Sequence, residues 1–146
     1  MIGLLKDTGE EVKLDTAIIM SKEYQSEAKA FALVVAKPGR MRSSLQALLQ
    51  IMPRLSVTDL ASDEASAIQV VTSRHPALVI LDVDLPDNQA WILLEQIQRT
   101  RPQTRCLFFV NSIEQRRAAK VAGADAALLK GFGTMELFTT VEELLP

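Results

Sequence analysis

From Phe31 onward the sequence predicts an α/β fold, an open sheet of five parallel strands with helices on both faces. Three observations carry this. Five short apolar runs, Phe31–Ala36, Leu55–Leu60, Ala77–Leu81, Cys106–Val110 and Ala126–Leu129, are each four to six residues long and rich in Val, Ile, Leu and Phe, too short for helices. All but Leu55–Leu60 are apolar throughout rather than alternating, as strands covered on both faces are. Stretches of helical period separate them, so each strand leads through a helix to a parallel neighbour, with right-handed connections.

The elements follow in order. After the first strand, Met41, Leu45, Leu48, Leu49 and Met52 repeat at i, i+4, i+7, i+8 and i+11, and Pro53 stops that helix. After the second, Ser62 reads as an N-cap, with Asp63 and Glu64 as an acidic first turn leading to Ala65, Val70 and Val71. Ala90, Leu93, Leu94 and Ile97 give the third helix its apolar face. Ile113 to Ala122 is an alanine-containing helix closed by Gly123, a natural residue for a left-handed helix end. Thr134 opens a last helix through Phe138, Val141 and Leu145.

Composition narrows the class. The chain has 146 residues, 48% hydrophobic and 23% charged, a globular balance for one domain with its own core. Net charge is −2, which disfavours a broad basic face for nucleic acid. The longest apolar run, Ala30 to Ala36, is seven residues, against roughly 20 for a membrane helix. No secretory leader pattern opens the chain. One cysteine and one histidine exclude a disulfide framework and a Cys/His zinc cluster. The expectation is a cytoplasmic protein contacting neither nucleic acid nor membrane. Residues 1–30 hold 4 basic and 6 acidic side chains, whereas residues 31–146 hold 12 of each. Residues 1–30 therefore read as an N-terminal extension or linker, with a helix over Thr16 to Ala30, and residues 31–146 as the domain.

In open α/β sheets the chemistry gathers at the carboxyl ends of the strands. Those ends carry Ala36-Lys37, Asp82 to Pro86, Asn111-Ser112 and Lys130. A carboxylate and an ammonium on one such edge can accept and hold a phosphoryl group. On the strand–helix repeats, on Leu81-Asp82-Val83-Asp84-Leu85-Pro86, on Ala122-Gly123-Ala124-Asp125 and on Leu129-Lys130 with Phe132 following, the chain resembles the receiver domain of two-component response regulators over residues 31–146. The resemblance implies a flavodoxin-like doubly wound sheet of strand order 2-1-3-4-5. It also implies Asp82 as phosphoacceptor, Lys130 as the phosphoryl-contacting lysine, Mg²⁺ as cofactor and a histidine kinase or other signalling protein as partner. Such domains also pair through the fourth helix, fifth strand and fifth helix, which would make a homodimer through residues 115–145.

The sequence departs from that pattern at several points. Where the family carries two Mg²⁺-binding acids it has Ala36 and Lys37, and its Ser/Thr switch position is Asn111. The aromatic switch position is Ala127, Gly131 follows the lysine instead of proline, and the segment between Asn111 and Lys130 is short, which alters the pairing face. Asp82, Lys37 and Lys130 sum to +1, or zero with Asp84, where the family's site sums to −2. The candidate metal ligands reduce to Asp82 and Asp84, and an ammonium at Lys37 is expected to pair with Asp82 in place of the metal. Ser112 is offset by one position from the switch role.

The resulting reading is an atypical, pseudo-receiver-like domain, a protein-interaction module with weak or absent Mg²⁺-dependent phosphorylation. The alternative is a working phosphoacceptor on Asp82, with Asp84 and Asp87 or Glu114 as substitute ligands. A third reading, an Asp-x-Asp phosphatase using Asp82 and Asp84, lacks the later acidic pair, because only Glu136, Glu142 and Glu143 follow Lys130. No enzyme is expected. Cys106 reads as core, His75 as exposed beside Pro76, and Trp91 as packed on the sheet or as a partner anchor. Arg40 and Arg42, Arg99, Arg101 and Arg105, and Arg116, Arg117 and Lys120 read as solvated basic groups.

Overall fold

The computed structural model describes residues 29–146. The helix expected over Thr16 to Ala30 lies outside that range but for its last two residues, and Ala30 opens a strand instead. The elements are β1 (Ala30–Val35), α1 (Arg40–Gln50), β2 (Leu55–Ala61), α2 (Glu64–Arg74), β3 (Leu78–Asp82), a 3₁₀ turn (Pro86–Asn88), α3 (Gln89–Thr100), β4 (Arg105–Val110), α4 (Ile113–Val121), β5 (Ala126–Leu129) and α5 (Thr134–Leu144). The strands form one sheet in the order β2-β1-β3-β4-β5, every pair parallel. This is the predicted doubly wound order.

The alternation of strand side chains divides the core into two layers. Leu33, Val35, Val79, Leu81, Phe108 and Val110 face α2, α3 and α4, meeting Ala67, Val71, Leu93, Ile97 and Ala119. Ala32, Val34, Leu78, Ile80, Leu107 and Phe109 face α1 and α5, meeting Leu45, Leu49, Leu137 and Val141. Covering both faces is what requires the unbroken apolar runs. Each fully buried Leu, Ile or Phe contributes about 1.5–3 kcal/mol. Trp91 is half-buried and packs its ring 4.8 Å from that of Phe108, so it belongs to the core layer rather than to a partner surface.

Helix ends follow local chemistry, with one correction. The N-cap of α2 is Asp63, whose Oδ1 accepts from the Ser66 backbone N–H at 2.8 Å. Ser62, the expected cap, instead accepts from Arg42 Nη1 at 3.0 Å. His75 closes α2 in the left-handed conformation at φ 52° and is exposed. Ser112 caps α4 by accepting from Gln115 N–H at 3.1 Å, while Gln115 Oε1 accepts from the Asn111 N–H at 2.7 Å, a variant of the reciprocal capping box.

The turn Ala122-Gly123-Ala124-Asp125 has a physical basis at two positions. Gly123 adopts φ +105°, and a Cβ there would lie 2.0 Å from Gln98 Nε2. Asp125 joins β4 to the start of β5: its Oδ2 accepts from the Cys106 N–H at 2.8 Å, its Oδ1 from Arg105 Nη1 at 3.1 Å. At the amino-terminal edge of the sheet, the Arg54 carbonyl accepts from Ala30 N–H at 2.7 Å. The Arg54 guanidinium pairs with Glu142 Oε1 at 2.7 Å and also reaches the Pro146 carbonyl.

Candidate functional site

Parallel register aligns the carboxyl ends of the strands. Two backbone bonds beyond the regular ladder continue it across the site: Val83 N–H donates to Phe109 O at 3.0 Å, and Lys130 N–H donates to Val110 O at 2.8 Å. Together they set Asp82, at the end of β3, beside Lys130, directly after β5. Lys130 Nζ lies 2.6 Å from Asp82 Oδ1 and 2.5 Å from Asp84 Oδ2. Asp84 Oδ1 accepts from Asn111 Nδ2 at 2.8 Å. Asp82 Oδ1 also accepts from the Asp84 N–H at 3.0 Å, an Asx turn that fixes the loop. Thus Asp82, Asp84, Asn111 and Lys130, all singled out in the sequence, form one connected cluster.

Electrostatics agree with the distances. Burial works to lower the Lys130 pKa, but hydrogen bonds to Asp82 and Asp84 outweigh it and hold the ammonium above its ordinary value. The Lys130 hydrogen bond holds the Asp84 carboxyl below the usual range against some desolvation, with help from Asn111. Side-chain exposure is 24% for Lys130, 12% for Asp82 and 56% for Asp84.

Lys37 corrects an expectation. It is exposed, and among the described residues it forms no ion pair; Asp82 is held by Lys130 instead. The chain turns outward after the buried Ala36, which carries the next side chain into water. The cation that does reach the mouth of β1 is Arg42, whose Nη1 donates to the Ala36 carbonyl and to Ser62 Oγ, both at 3.0 Å. Composition alone had placed Arg42 with the solvated groups. With Lys37 out of the cluster, the charge of Asp82, Asp84 and Lys130 is −1 rather than the +1 or zero expected.

These residues do not fit a Mg²⁺ site. A hard divalent ion takes oxygen ligands in near-octahedral number, but here both carboxylates are engaged by one ammonium. The substitute ligands Asp87 and Glu114 do not complete a set: among the described residues no three or more His, Cys, Asp or Glu side chains group to hold an ion. Asp87 sits exposed in the 3₁₀ turn at φ 58°. Ser112 is committed to capping α4 and cannot serve as the offset switch hydroxyl, and Ala127, buried, has no ring to reorient. Cys106 is buried, and burial first, then the charge of Asp125, pushes its thiol up to about 12, so it is no nucleophile.

Comparison with known proteins gives a consistent picture. Residues 32–142 match the sequence model of the response regulator receiver domain. A protein-glutamate methylesterase/protein-glutamine glutaminase of Agrobacterium fabrum is 32% identical over 101 residues, covering 69% of this chain and 26% of that protein. The Fimbriae Z protein of Salmonella typhimurium is 28% identical over 107 residues, covering 72% of this chain and 51% of that protein. The chain thus spans from about a quarter to about half the length of these relatives. Among solved structures, a LuxR-family two-component response regulator from Aurantimonas superposes with TM-score 0.73 at 22% identity, covering 80% of this chain and 85% of that one. The signal receiver domain of an HD domain-containing protein from Pseudomonas fluorescens gives TM-score 0.71 at 25% identity, covering 80% and 87%. No helix of the described residues is long and apolar enough to cross a membrane.

Proposed function

The chain belongs to the response regulator receiver domain family, and from that premise we propose that it is an atypical receiver, a non-enzymatic interaction module of two-component signalling that works without Mg²⁺-dependent phosphorylation. One observation carries the reading. The ammonium of Lys130 bonds the carboxylates of both Asp82 and Asp84, while β1 ends in Ala36 and Lys37 rather than in acids. Transfer of a phosphoryl group to Asp82 would bring an anionic carboxylate against an anionic donor, and without a divalent ion that encounter lacks its main electrostatic support. The partner is a histidine kinase or another signalling protein, reached in the cytoplasm, and a second copy can pair through α4, β5 and α5.

A second reading is favoured by Asp82 itself, which stands at the end of β3 with Lys130 at 2.6 Å: a phosphoacceptor that needs no ordinary metal site. Intact-mass measurement separates the two. The chain is incubated with acetyl phosphate, with and without Mg²⁺, beside Asp82→Asn. No gain of mass under conditions that label an ordinary receiver is the expected result. A gain of one phosphoryl group that is absent from Asp82→Asn, whether or not Mg²⁺ is present, overturns the proposal in favour of the phosphoacceptor.

A further inference from the structure

We infer that Lys130 and Asn111 form an oxyanion site whose resident occupant is the Asp84 carboxylate, a tethered anion that latches the start of α4 and the end of β5 onto the β3 loop with no ligand bound. The inference rests on the metal-free reading of the site and goes beyond it by naming what fills the cluster.

The geometry is specific. The two oxygens of Asp84 are divided between two donors on different elements: Oδ2 to Lys130 Nζ at 2.5 Å and Oδ1 to Asn111 Nδ2 at 2.8 Å. An exposed carboxylate on a loop ordinarily turns both oxygens to water; Asp84, with a side chain 56% exposed, turns both onto protein donors. Its backbone is held for that purpose. The Asp84 N–H donates to Asp82 Oδ1 at 3.0 Å, the Leu85 N–H to Asp82 O at 3.2 Å, and Leu85 is buried. The donors are held as well. Lys130 is tied by its N–H to Val110, and the Asn111 N–H by Gln115 Oε1. A cation and an amide donor facing one point form an oxyanion-binding pair, and a carboxylate delivered by the same chain meets them at an effective concentration no free anion reaches. Asn111 serves here as the donor that reads the anion, and the anion it reads is permanent.

Removing the occupant tests this. ¹⁵N-labelled wild type, Asp84→Ala, Asp84→Asn and Asn111→Ala are titrated with inorganic phosphate in the presence of a chelator, and the side-chain amide of Asn111 and hydrogen exchange of residues 111–115 are followed. In the wild type, phosphate produces no saturable shift at Asn111 or Lys130. In Asp84→Ala the Asn111 amide moves, exchange of residues 111–115 quickens about tenfold, and phosphate gives saturable shifts at both residues. Asp84→Asn, which keeps the acceptor and loses the charge, falls between the two, and Asn111→Ala quickens exchange without gaining phosphate binding. Unchanged exchange and Asn111 signals in Asp84→Ala overturn the inference, as do identical phosphate responses in wild type and Asp84→Ala, or no phosphate response in either. Labelling of the wild type by a phosphodonor would refute the proposed function, whereas the latch stands or falls on these variants, so the two failures are distinguishable.

Discussion

Lys130→Met isolates what the ammonium does, because methionine keeps most of the apolar stem and removes only the charge and its donors. Two contacts are lost. The pair with Asp82 joins side chains only 24% and 12% exposed, so removing Lys130 strands a largely desolvated carboxylate, a loss of about 2 kcal/mol once partial hydration is allowed for. The pair with Asp84 has a partner 56% exposed and contributes about 0.5 kcal/mol. The cluster charge also moves from −1 to −2, with the two carboxylates adjacent. The expected loss is about 2–3 kcal/mol at pH 7, or a fall in Tm on the order of 10 °C for a domain of this size, measured by urea and thermal unfolding. Asp84 supplies a pH signature. Lys130 holds its folded-state pKa below the unfolded value, so that contribution is present above about pH 4 and disappears as pH falls through the folded pKa. The gap between wild type and Lys130→Met should therefore narrow below about pH 4. A loss under 1 kcal/mol at pH 7, or a gap equally wide in acid, refutes the reasoning.

Three further outcomes follow from contacts elsewhere. Asp125→Ala leaves the buried N–H of Cys106 without its acceptor and should cost about 2 kcal/mol in urea unfolding, whereas Asp125→Asn, which keeps a carbonyl there, should cost less than half of that; equal losses would shift the weight to the Arg105 pair. Gly123→Ala places a side chain at φ +105° and against Gln98, and unfolding should show a loss of about 1–2 kcal/mol; no loss would mean that the turn rearranges freely. Cys106, its thiol pushed up to about 12, should ignore a thiol reagent at pH 8 and react at once when urea is added; prompt reaction in the folded state would contradict its burial.

The strands were legible because burial on both faces leaves no polar residue to blur an apolar run, and β1, β3, β4 and β5 lie within a residue of their expected bounds. Asp82 and Lys130 were legible for a topological reason: a charge ending a buried strand in a parallel sheet is delivered to one common edge. Side chains that follow a strand into a loop were not, since one turn decides which of two neighbours faces the site. Lys37 turned outward, and Arg42, five residues on and read as solvated, folded back onto Ala36. The same residue explains the shifted cap of α2: Ser62 and Asp63 are both competent caps, and Arg42 engages the serine. That Asn111 bonds Asp84 depends on how the loops after the neighbouring strands β3 and β4 turn toward each other, which no spacing in the sequence encodes.

The bonds that Arg54 makes to Ala30, Glu142 and Pro146 have a consequence for engineering. They gather the start of the first strand and the end of the last helix at the sheet edge opposite Asp82 and Lys130, so a tag or fused reporter attached after Pro146, or before Ala30 in a chain shortened to that residue, leaves the charged cluster uncovered. Because the two positions share one arginine, a short peptide should also join them in a chain that lacks residues 1–29, and that chain could then be reopened in the exposed Lys37–Gly39 loop. Such a circular permutant would keep the sheet order β2-β1-β3-β4-β5 while starting at the mouth of the site and carrying β1 last in sequence.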